Sequence, residues 1–188
     1  KYFPTQLGKL SSDHLYKAIN QVKPSLIRTE ADELTYHFHV IIRYELEKAL
    51  IGGELQVKDI PDFWNTHYEK YLGIKVPDDR NGCLQDVHWS HGSFGYFPTY
   101  SMGSLYAAQF FAAASKSIPG LEGQLASGQF KPLLDWLREN IHIHGRRYTS
   151  EELCRNITGE GINSSYFMQY VTNKYRFMYA FKMEEVVI

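Results

Sequence analysis

The sequence has no excess charge of either sign and no long apolar run, and both absences exclude classes of protein. Its 188 residues carry 20 Lys and Arg against 21 Asp and Glu, for a formal net charge of −1. Nucleic acids and anionic membrane surfaces attract proteins with a basic excess, so we expect neither partner. The longest strongly apolar stretch, 107–114, is interrupted by Gln109 and is much shorter than the roughly 20 residues of a membrane-spanning helix.

Cysteine is scarce as well. Cys83 and Cys154 are the only two in the sequence, which is too few for a disulfide scaffold. No secretory signal peptide is recognisable, so we expect a reducing, cytoplasmic compartment. The composition, with 44% hydrophobic and 22% charged residues, is that of an ordinary globular protein. The length suits one core, so we expect one domain or one piece of a larger domain.

Helical periodicity dominates the sequence. The longest pattern covers 26–50, where apolar residues recur three and four positions apart, and Gly52 and Gly53 mark its end. Further helices are predicted at 61–71, 99–117, 130–142, 150–156 and 164–181. Gly73 is predicted to close the first of these, and residues 149–152 (TSEE) to form a capping box before the fourth. Helix 99–117 is apolar on nearly all sides and should be central and tightly packed. The only candidate strands are 55–57 and the residues just before His88. The predicted fold class is therefore all-α, a multi-helix domain with at most a minor β element.

Four polar residues follow one stripe of the predicted helix 26–50. Arg28, Asp32, Thr35 and His39 stand at i, i+4, i+7 and i+11, so a helix would align them. An arginine held by an aspartate one turn away can offer its remaining N–H groups as a fork to a second carboxylate, such as a peptide C-terminus. The alternative is an ordinary ion pair between Arg28 and Asp32 on a solvated helix face. The spacing leaves both interpretations open.

Glu45 falls within the apolar stripe of the same predicted helix. A carboxylate at such a position is unfavourable unless it is paired. We therefore expect a buried partner for Glu45, such as an arginine. A structural ion pair is favoured over a catalytic acid, because nothing nearby in the sequence completes an acid–base site.

Segment 82–100 holds the densest group of titratable and aromatic residues. Its three glycines stand among rigid aromatic side chains, which predicts a constrained loop leading into a helix that begins at Pro98. Loops held on a rigid scaffold are where binding groups tend to lie. This loop is therefore a candidate site.

Three side chains of this loop can stabilise negative charge. The imidazole of His88 and the phenols of Tyr96 and Tyr100 can donate hydrogen bonds to the oxyanion that forms during amide hydrolysis. Gln85 or Asp86 could orient the imidazole. The alternative is that these aromatics belong to the core and have their polar tips satisfied locally.

Closely spaced histidines invite a zinc interpretation at three places, His37 with His39, His88 with His91, and His142 with His144. None of these pairs has the H-E-x-x-H pattern, which places two imidazoles and a glutamate on one helix face. We therefore predict no metal ligands in this chain.

Two segments resemble signature motifs of a known peptidase family. Residues 27–32 read IRTEAD and residues 82–89 read GCLQDVHW. These segments are similar, in the same order, to the I-R-x-x-A-D and G-x-x-Q-D-x-H-W motifs of the thermostable (Taq-type) zinc metallocarboxypeptidases. The resemblance continues through 43–47, 95–100 and 143–145, so it covers essentially the whole chain.

The resemblance implies a mainly helical, zinc-dependent exopeptidase that releases C-terminal amino acids from peptides, commonly as a homodimer. It implies that Arg28 helps to grip the terminal carboxylate of the substrate, and that His88 with Tyr96 or Tyr100 steadies the tetrahedral intermediate. We accordingly assign catalysis to His88, Tyr96 and Tyr100, and substrate binding to Arg28, Asp32, Gln85 and Asp86.

The sequence departs from the family pattern in its metal motifs. The H-E-x-x-H helix and the later H-E-S-Q motif that hold the family's zinc lie upstream of the segment corresponding to Lys1, as do the H-P-F and D-x-R-x-T motifs. We therefore expect 1–188 to be a single C-terminal portion of a catalytic domain, inactive and zinc-free without its upstream half. The alternative is a non-catalytic binding or dimerisation module derived from the family.

Overall fold

The computed structural model describes residues 3–180 and divides the chain into two compact units, with the boundary between Ser101 and Met102. The α-helices are α1 (Pro4–Leu7), α2 (Ser12–Ile19), α3 (Tyr36–Ile51), α4 (Ile60–Leu72), α5 (Pro98–Ser117), α6 (Leu121–Ala126), α7 (Lys131–Asn140), α8 (Ser150–Thr158) and α9 (Ser165–Tyr179). Residues 3–180 contain no strand, which confirms the all-α class and makes both candidate strands wrong. No helix within this range is long and apolar enough to cross a membrane.

The core of the first unit lies between α3 and α4. Trp64, Tyr68 and Leu72 recur every fourth residue on α4 and pack against Ile42 and Leu46 of α3. Burial of apolar side chains of this size stabilises the fold by about 1.5–3 kcal/mol each. The α4 helix ends, as predicted, at a glycine in the left-handed conformation that donates its N–H to the last turn. This helix pair is the scaffold of the candidate site.

The predicted helix 26–50 is shorter than expected, because its first part is not helical. Arg28–Glu30 forms a single 3-10 turn and α3 begins only at Tyr36. The side chain of Asp32 accepts hydrogen bonds from the backbone N–H groups of Leu34 and Thr35, both at 2.9 Å. An aspartate bonded to its following backbone favours a turn over a continuing helix. The prediction that Arg28 and Asp32 lie one helical turn apart is therefore wrong.

The burial pattern of α3 also differs from the prediction. Glu45 keeps about a third of its side chain exposed and accepts a hydrogen bond from the hydroxyl of Tyr71 at 2.9 Å. Glu47, which is only 3% exposed, is the buried carboxylate of this helix. The expectation that Glu45 is buried with a buried partner, such as an arginine, is therefore wrong. Its partners are the half-buried Tyr71 and His67, and Nε2 of His67 lies 3.6 Å from Oε2 of Glu45.

The second unit has its own core, formed by Ala114, Leu121 and Trp136. Only Gln109 and Ala114 of α5 are buried in the described structure, and Phe111 is 40% exposed, so the prediction of a central, tightly packed helix is wrong. The helix α8 begins with the capping box that the sequence predicts, in which Thr149 and Glu152 satisfy each other's backbone N–H groups. The predicted helix 164–181 is confirmed up to Tyr179, and its last residue lies outside the described range.

Candidate active site

Two arginines share one aspartate in the interior of the first unit. Arg28 donates from Nε and Nη2 to Oδ1 of Asp86, at 3.1 and 2.8 Å, and Arg43 donates from Nε to Oδ2 of the same residue at 2.5 Å. Arg43 is fully buried and Arg28 is 8% exposed. This arginine–aspartate cluster (Arg28, Arg43 and Asp86) holds two positive charges and one negative charge, and therefore carries a net charge of +1.

Three separate segments position the cluster. Arg28 comes from the 3-10 turn before α3, Arg43 from the middle of α3, and Asp86 from the loop that follows the 3-10 turn Asp79–Asn81. The loop passes close to its neighbours at Gly82, where an added Cβ would lie 2.7 Å from a methyl group of Val76. The glycine of the predicted G-x-x-Q-D-x-H-W motif is therefore required for close packing of the loop that carries Asp86.

Aromatic rings enclose the two guanidinium groups. The fully buried ring of Phe97 has its centre 5.6 Å from the guanidinium carbon of Arg28 and 5.5 Å from that of Arg43. Tyr100 lies over Arg28 at 4.9 Å, and Trp64 lies over Arg43 at 4.5 Å. The negative faces of such rings attract cations and exclude water from them. Phe97, Tyr100 and Trp64 thus line the cluster, and Trp64 also belongs to the core between α3 and α4.

Arg28 keeps part of its hydrogen-bonding capacity. Of the five N–H groups of a guanidinium, Arg28 uses one on Nε and one on Nη2 for Asp86 and one on Nη1 for the hydroxyl of Tyr36, at 3.0 Å. One N–H on Nη1 and one on Nη2 have no acceptor among the residues that the structure describes. Arg43 instead turns inward, with Nη1 donating to the carbonyl of His39 at 2.9 Å. Arg28 is therefore the member of the cluster that can bind a further anion.

The charges of the cluster reinforce one another. Burial alone would raise the pKa of Asp86, but the positive charge of Arg43 and the hydrogen bonds from Arg28 hold that pKa below its ordinary value. Burial alone would lower the pKa of Arg28, and the hydrogen bonds and charge of Asp86 raise it instead. Asp86 and Arg28 are therefore both ionised at neutral pH.

His39 lies directly behind the cluster. Its side chain is fully buried, and its Nδ1 is 2.9 Å from the hydroxyl of Tyr68. Burial, followed by the positive charges of Arg43 and Arg28, lowers the pKa of His39 to about 4. The imidazole is therefore neutral at physiological pH and adds no charge to the site.

His88 stands at the edge of the cluster with Tyr100. Its Nε2 is 3.1 Å from the hydroxyl of Tyr100, and its Nδ1 is 3.6 Å from Oδ1 of Asp86, which is an ion-pair distance for a protonated imidazole but too long for a hydrogen bond. Burial lowers the pKa of His88, and although the charge of Asp86 opposes this, the charges of the two arginines and of His91 lower it further. A neutral His88 can donate a hydrogen bond to the hydroxyl of Tyr100 or accept one from it, depending on its tautomer.

Tyr96 completes the group of residues predicted to be catalytic. Its ring centre lies 5.8 Å from that of His88 and 5.4 Å from that of Tyr100, and its side chain is about half exposed. The structure therefore brings His88, Tyr96 and Tyr100 into one contiguous group beside Arg28 and Asp86.

Two residues predicted to bind substrate make their hydrogen bonds elsewhere. Asp32 accepts hydrogen bonds from Thr35 and from backbone N–H groups, and these bonds lower its pKa although burial would raise it. Gln85 donates from its side-chain amide to the carbonyl of Arg80. Both residues thus shape the backbone, Asp32 before α3 and Gln85 in the loop before Asp86. Their assignment to substrate binding stays a prediction.

Sequence reasoning missed Arg43 as a member of the site. Arg43 follows the apolar run 40–42 directly and is four residues after the buried His39. A cation at that point of a helix lies among buried positions and needs a carboxylate partner. The sequence therefore indicates that Arg43 is buried and paired. It does not reveal that the partner is Asp86, 43 positions away.

The described side chains provide no cluster of metal ligands. Within residues 3–180, no group of three or more His, Cys, Asp and Glu residues is placed to hold a metal ion. Of the three histidine pairs, His37 has its Nδ1 2.9 Å from the hydroxyl of Ser101, and His88 is bonded to Tyr100. The described residues therefore do not fit a catalytic metal.

Comparison with known proteins gives matches along nearly the whole chain. Residues 1–175 match the family described as Carboxypeptidase Taq (M32) metallopeptidase. The chain is 47% identical over 176 residues to Carboxypeptidase 1 of Bacillus subtilis, covering 94% of this chain and 35% of the relative. It is 44% identical over 185 residues to Thermostable carboxypeptidase 1 of Thermus thermophilus, covering 95% of this chain and 36% of the relative.

Solved structures agree with these matches. The M32 carboxypeptidase from Deinococcus radiodurans R1 superimposes with a TM-score of 0.92 at 45% identity, over 95% of this chain and 36% of that one. The Trypanosoma cruzi metallocarboxypeptidase 1 gives a TM-score of 0.84 at 39% identity, over 88% of this chain and 35% of that one. The chain thus spans about a third of the length of its relatives, 35–36% in the curated proteins. On the strength of the match over residues 1–175, this chain belongs to the Taq (M32) family of metallocarboxypeptidases.

Proposed function

We propose that this chain is the C-terminal portion of a zinc metallocarboxypeptidase and supplies its site for the terminal carboxylate of a peptide. The observation that carries the proposal is the net charge of +1 on the arginine–aspartate cluster, with two N–H groups of Arg28 left over. An exopeptidase must recognise a chain end, and a peptide C-terminus differs from an internal residue by its negative charge. A guanidinium held in place by Asp86 is pre-organised for a carboxylate.

The neighbours of the cluster support a second role, in stabilising the oxyanion. Tyr100 lies over the guanidinium of Arg28 and shares a hydrogen bond with His88, so both donors are adjacent to the proposed carboxylate site. An amide bond close to a chain end held by Arg28 would present its carbonyl to these groups. A single well-placed donor of this kind contributes about a hundredfold to a thousandfold in rate.

The proposal places the metal outside the residues that the structure describes. The family consists of metallopeptidases, but the side chains of residues 3–180 offer no group of three metal ligands. In this proposal the upstream half of the same enzyme binds the zinc. This chain alone binds no zinc and is therefore inactive. A homodimer, which the family resemblance implies, and a cytoplasmic location, which the scarcity of cysteine favours, are parts of the same proposal.

The test compares two proteins in one assay. Carboxypeptidase activity on a blocked dipeptide, with zinc or cobalt added, is measured for this chain and for a version extended upstream through the missing motifs. Activity in the extended form alone supports the proposal. Activity of the 188-residue chain without its upstream half would overturn the proposal that the zinc ligands lie upstream. Activity in neither protein would favour a non-catalytic module.

A non-catalytic binding or dimerisation module is the second candidate. The observation that favours it is an apolar cavity of about 380 Å³ in the second unit, lined by side chains of α5 and α7 that include Tyr106, Phe110, Phe111 and Trp136. Apolar surface of this kind is typical of an interface. Sedimentation of the chain and of a Phe111→Ser variant separates the cases. A dimer that this substitution dissociates supports an assembly role, and a monomer in both proteins counts against it.

A further inference from the structure

Glu47 is a buried carboxylate that the proposed chemistry does not use. It lies on α3, four residues after Arg43, and only 3% of it is exposed. Its Oε1 accepts a hydrogen bond from the indole Nε1–H of Trp89 at 2.8 Å, and its Oε2 accepts one from the backbone N–H of Gly95 at 3.0 Å. Each oxygen of one side chain thus holds a different point of the loop 88–97.

The two points that Glu47 holds are the chain neighbours of predicted catalytic residues. Trp89 directly follows His88, and Gly95 directly precedes Tyr96. From Trp89 to Gly95 the loop reverses through the 3-10 turn Trp89–His91 and two glycines with positive φ, Gly92 and Gly95. Holding Trp89 and Gly95 therefore restrains the backbone positions of His88 and Tyr96, whose ring centres lie 5.8 Å apart.

The chemistry of the contact requires a carboxylate. Both donors are N–H groups, so the side chain that meets them must present two acceptors, and an ionised glutamate does so. A glutamine has the same shape but only one acceptor oxygen, and its NH₂ group would face the second donor. A buried N–H left without an acceptor costs about 1–3 kcal/mol. One of the two loop contacts would therefore open.

We propose that Glu47 is a positioning residue that acts through Trp89 and Gly95 to set the geometry of His88 and Tyr96. This inference rests on the proposed function, because that function gives His88 and Tyr96 their role. The hydrogen bonds of Glu47 within the described residues go to Trp89 and Gly95, and not to Arg28, His88 or Tyr100. It holds the rigid support on which a precise site depends.

The experiment uses the isotopically labelled 188-residue chain with Glu47→Gln, and Glu45→Gln as the matched control. Glu45 lies on the same helix, and the single O–H group of Tyr71 lies 2.9 and 3.0 Å from its two oxygens, so the one oxygen that glutamine retains can still accept that hydrogen bond. NMR measures solvent exchange of the Trp89 indole N–H and the Gly95 amide. It also measures the ring-to-ring NOE between His88 and Tyr96 and the ring ¹⁵N shifts of His88.

We expect Glu47→Gln to speed exchange of one of the two N–H groups by at least about tenfold, to weaken the NOE and to shift the His88 nitrogens. Glu45→Gln should leave all four readouts unchanged. A purely structural role would lower the melting temperature of Glu47→Gln and leave the NOE and the ¹⁵N shifts at their wild-type values, which would overturn the inference. If Glu47→Gln does not fold, Trp89→Phe keeps the aromatic packing and removes one contact, and unchanged His88 signals there would overturn it equally.

Failure of the proposed function would look different. Titration of the wild-type chain with N-acetylphenylalanine should shift the Nε resonance of Arg28. Absence of that shift would count against the carboxylate site. The exchange rates and the NOE in Glu47→Gln are measured without ligand, so they test the role of Glu47 independently.

Discussion

Arg28 and Asp86 stand 58 positions apart, and two nitrogens of Arg28 donate to a single oxygen of Asp86, at 3.1 and 2.8 Å. This leaves the second oxygen of Asp86 to Arg43. The aspartate is thus the shared partner of two cations that would otherwise repel each other in a place with little water. Its removal should therefore be more harmful than the loss of an ordinary ion pair.

Asp86→Asn should lower the free energy of unfolding by about 3–5 kcal/mol, because it leaves two guanidinium groups without a counter-charge in the interior. Urea unfolding followed by circular dichroism measures the change. Asp135→Asn is the control, since Asp135 pairs with Lys131 on the exposed side of α7 and should contribute no more than roughly 0.5 kcal/mol. A loss below about 1 kcal/mol for Asp86→Asn would contradict the buried pairing.

Stability should fall as the pH is lowered from about 6.5 to about 4, in part because of His39. The unfolded chain takes up a proton at His39 near its ordinary pKa of 6.5, whereas the folded chain resists protonation until about pH 4. The unfolded state binds more protons in this window, so acid favours unfolding, by at most about 3 kcal/mol from this residue. Asp86, whose pKa is lowered, acts in the same direction at still lower pH.

His39→Asn tests this assignment, because asparagine can meet the hydroxyl of Tyr68 but does not titrate. The variant should lose part of the slope of unfolding free energy against pH between pH 4 and 6.5, as measured by urea unfolding at a series of pH values. Between pH 7 and 8 the two proteins should give parallel curves. An unchanged slope below pH 6.5 would show that His39 is not the group responsible.

Arg28→Lys should weaken binding of N-acetylphenylalanine by about tenfold to a hundredfold, because lysine keeps the charge and loses the fork. Isothermal titration calorimetry gives the dissociation constants, and circular dichroism verifies that the variant is folded. Arg155→Lys, at an exposed ion pair with Glu151, is the matched control and should bind as the wild type does. Equal affinity in Arg28→Lys would remove Arg28 from the carboxylate site.

Thr149→Ala should destabilise the second unit by about 1 kcal/mol, since it removes the side chain that caps α8. Thr149→Ser retains the hydroxyl and should recover most of the loss. Thermal unfolding of the three proteins measures both effects. Equal destabilisation by alanine and serine would show that the threonine methyl, rather than the cap, is responsible.

The sequence predicted helix ends correctly where the signal consists of residues only a few positions apart. The end of α4 at Gly73 and the capping box of α8 depend on residues a few positions apart, and both were found. The short helices α1, α2 and α6 were missed, because four to eight residues give too little periodicity. The predicted start of α3 was wrong because the side chain of Asp32 accepts hydrogen bonds from the backbone N–H groups of Leu34 and Thr35, which favours a turn over a helix. Apolar periodicity gives no sign of this competition between turn and helix.

The candidate site was predicted in its composition but not in its connections. Motif residues at 28, 86, 88, 96 and 100 do come together, whereas the partner of Arg28 was expected at Asp32 and is Asp86. Glu45 rather than Glu47 was predicted to be buried because the apolar stripe was extended from residues 26–35, which are not part of α3. The helix that was used to assign the buried face therefore started ten residues too early. Pairings across a loop depend on tertiary structure, and a single sequence does not reveal them.

The long separation of Arg28 from Asp86 bears on the order in which the first unit folds. The contacts between α3 and α4 join residues close in the chain and can form early, at a small loss of chain entropy. The contacts of Asp86 with Arg28 and Arg43 close much longer loops, so they should be absent from the transition state. Interactions that form after the transition state act on the rate of unfolding. The arginine–aspartate cluster should therefore slow the unfolding of the first unit and have little effect on its rate of folding. It contributes to the kinetic stability of this unit.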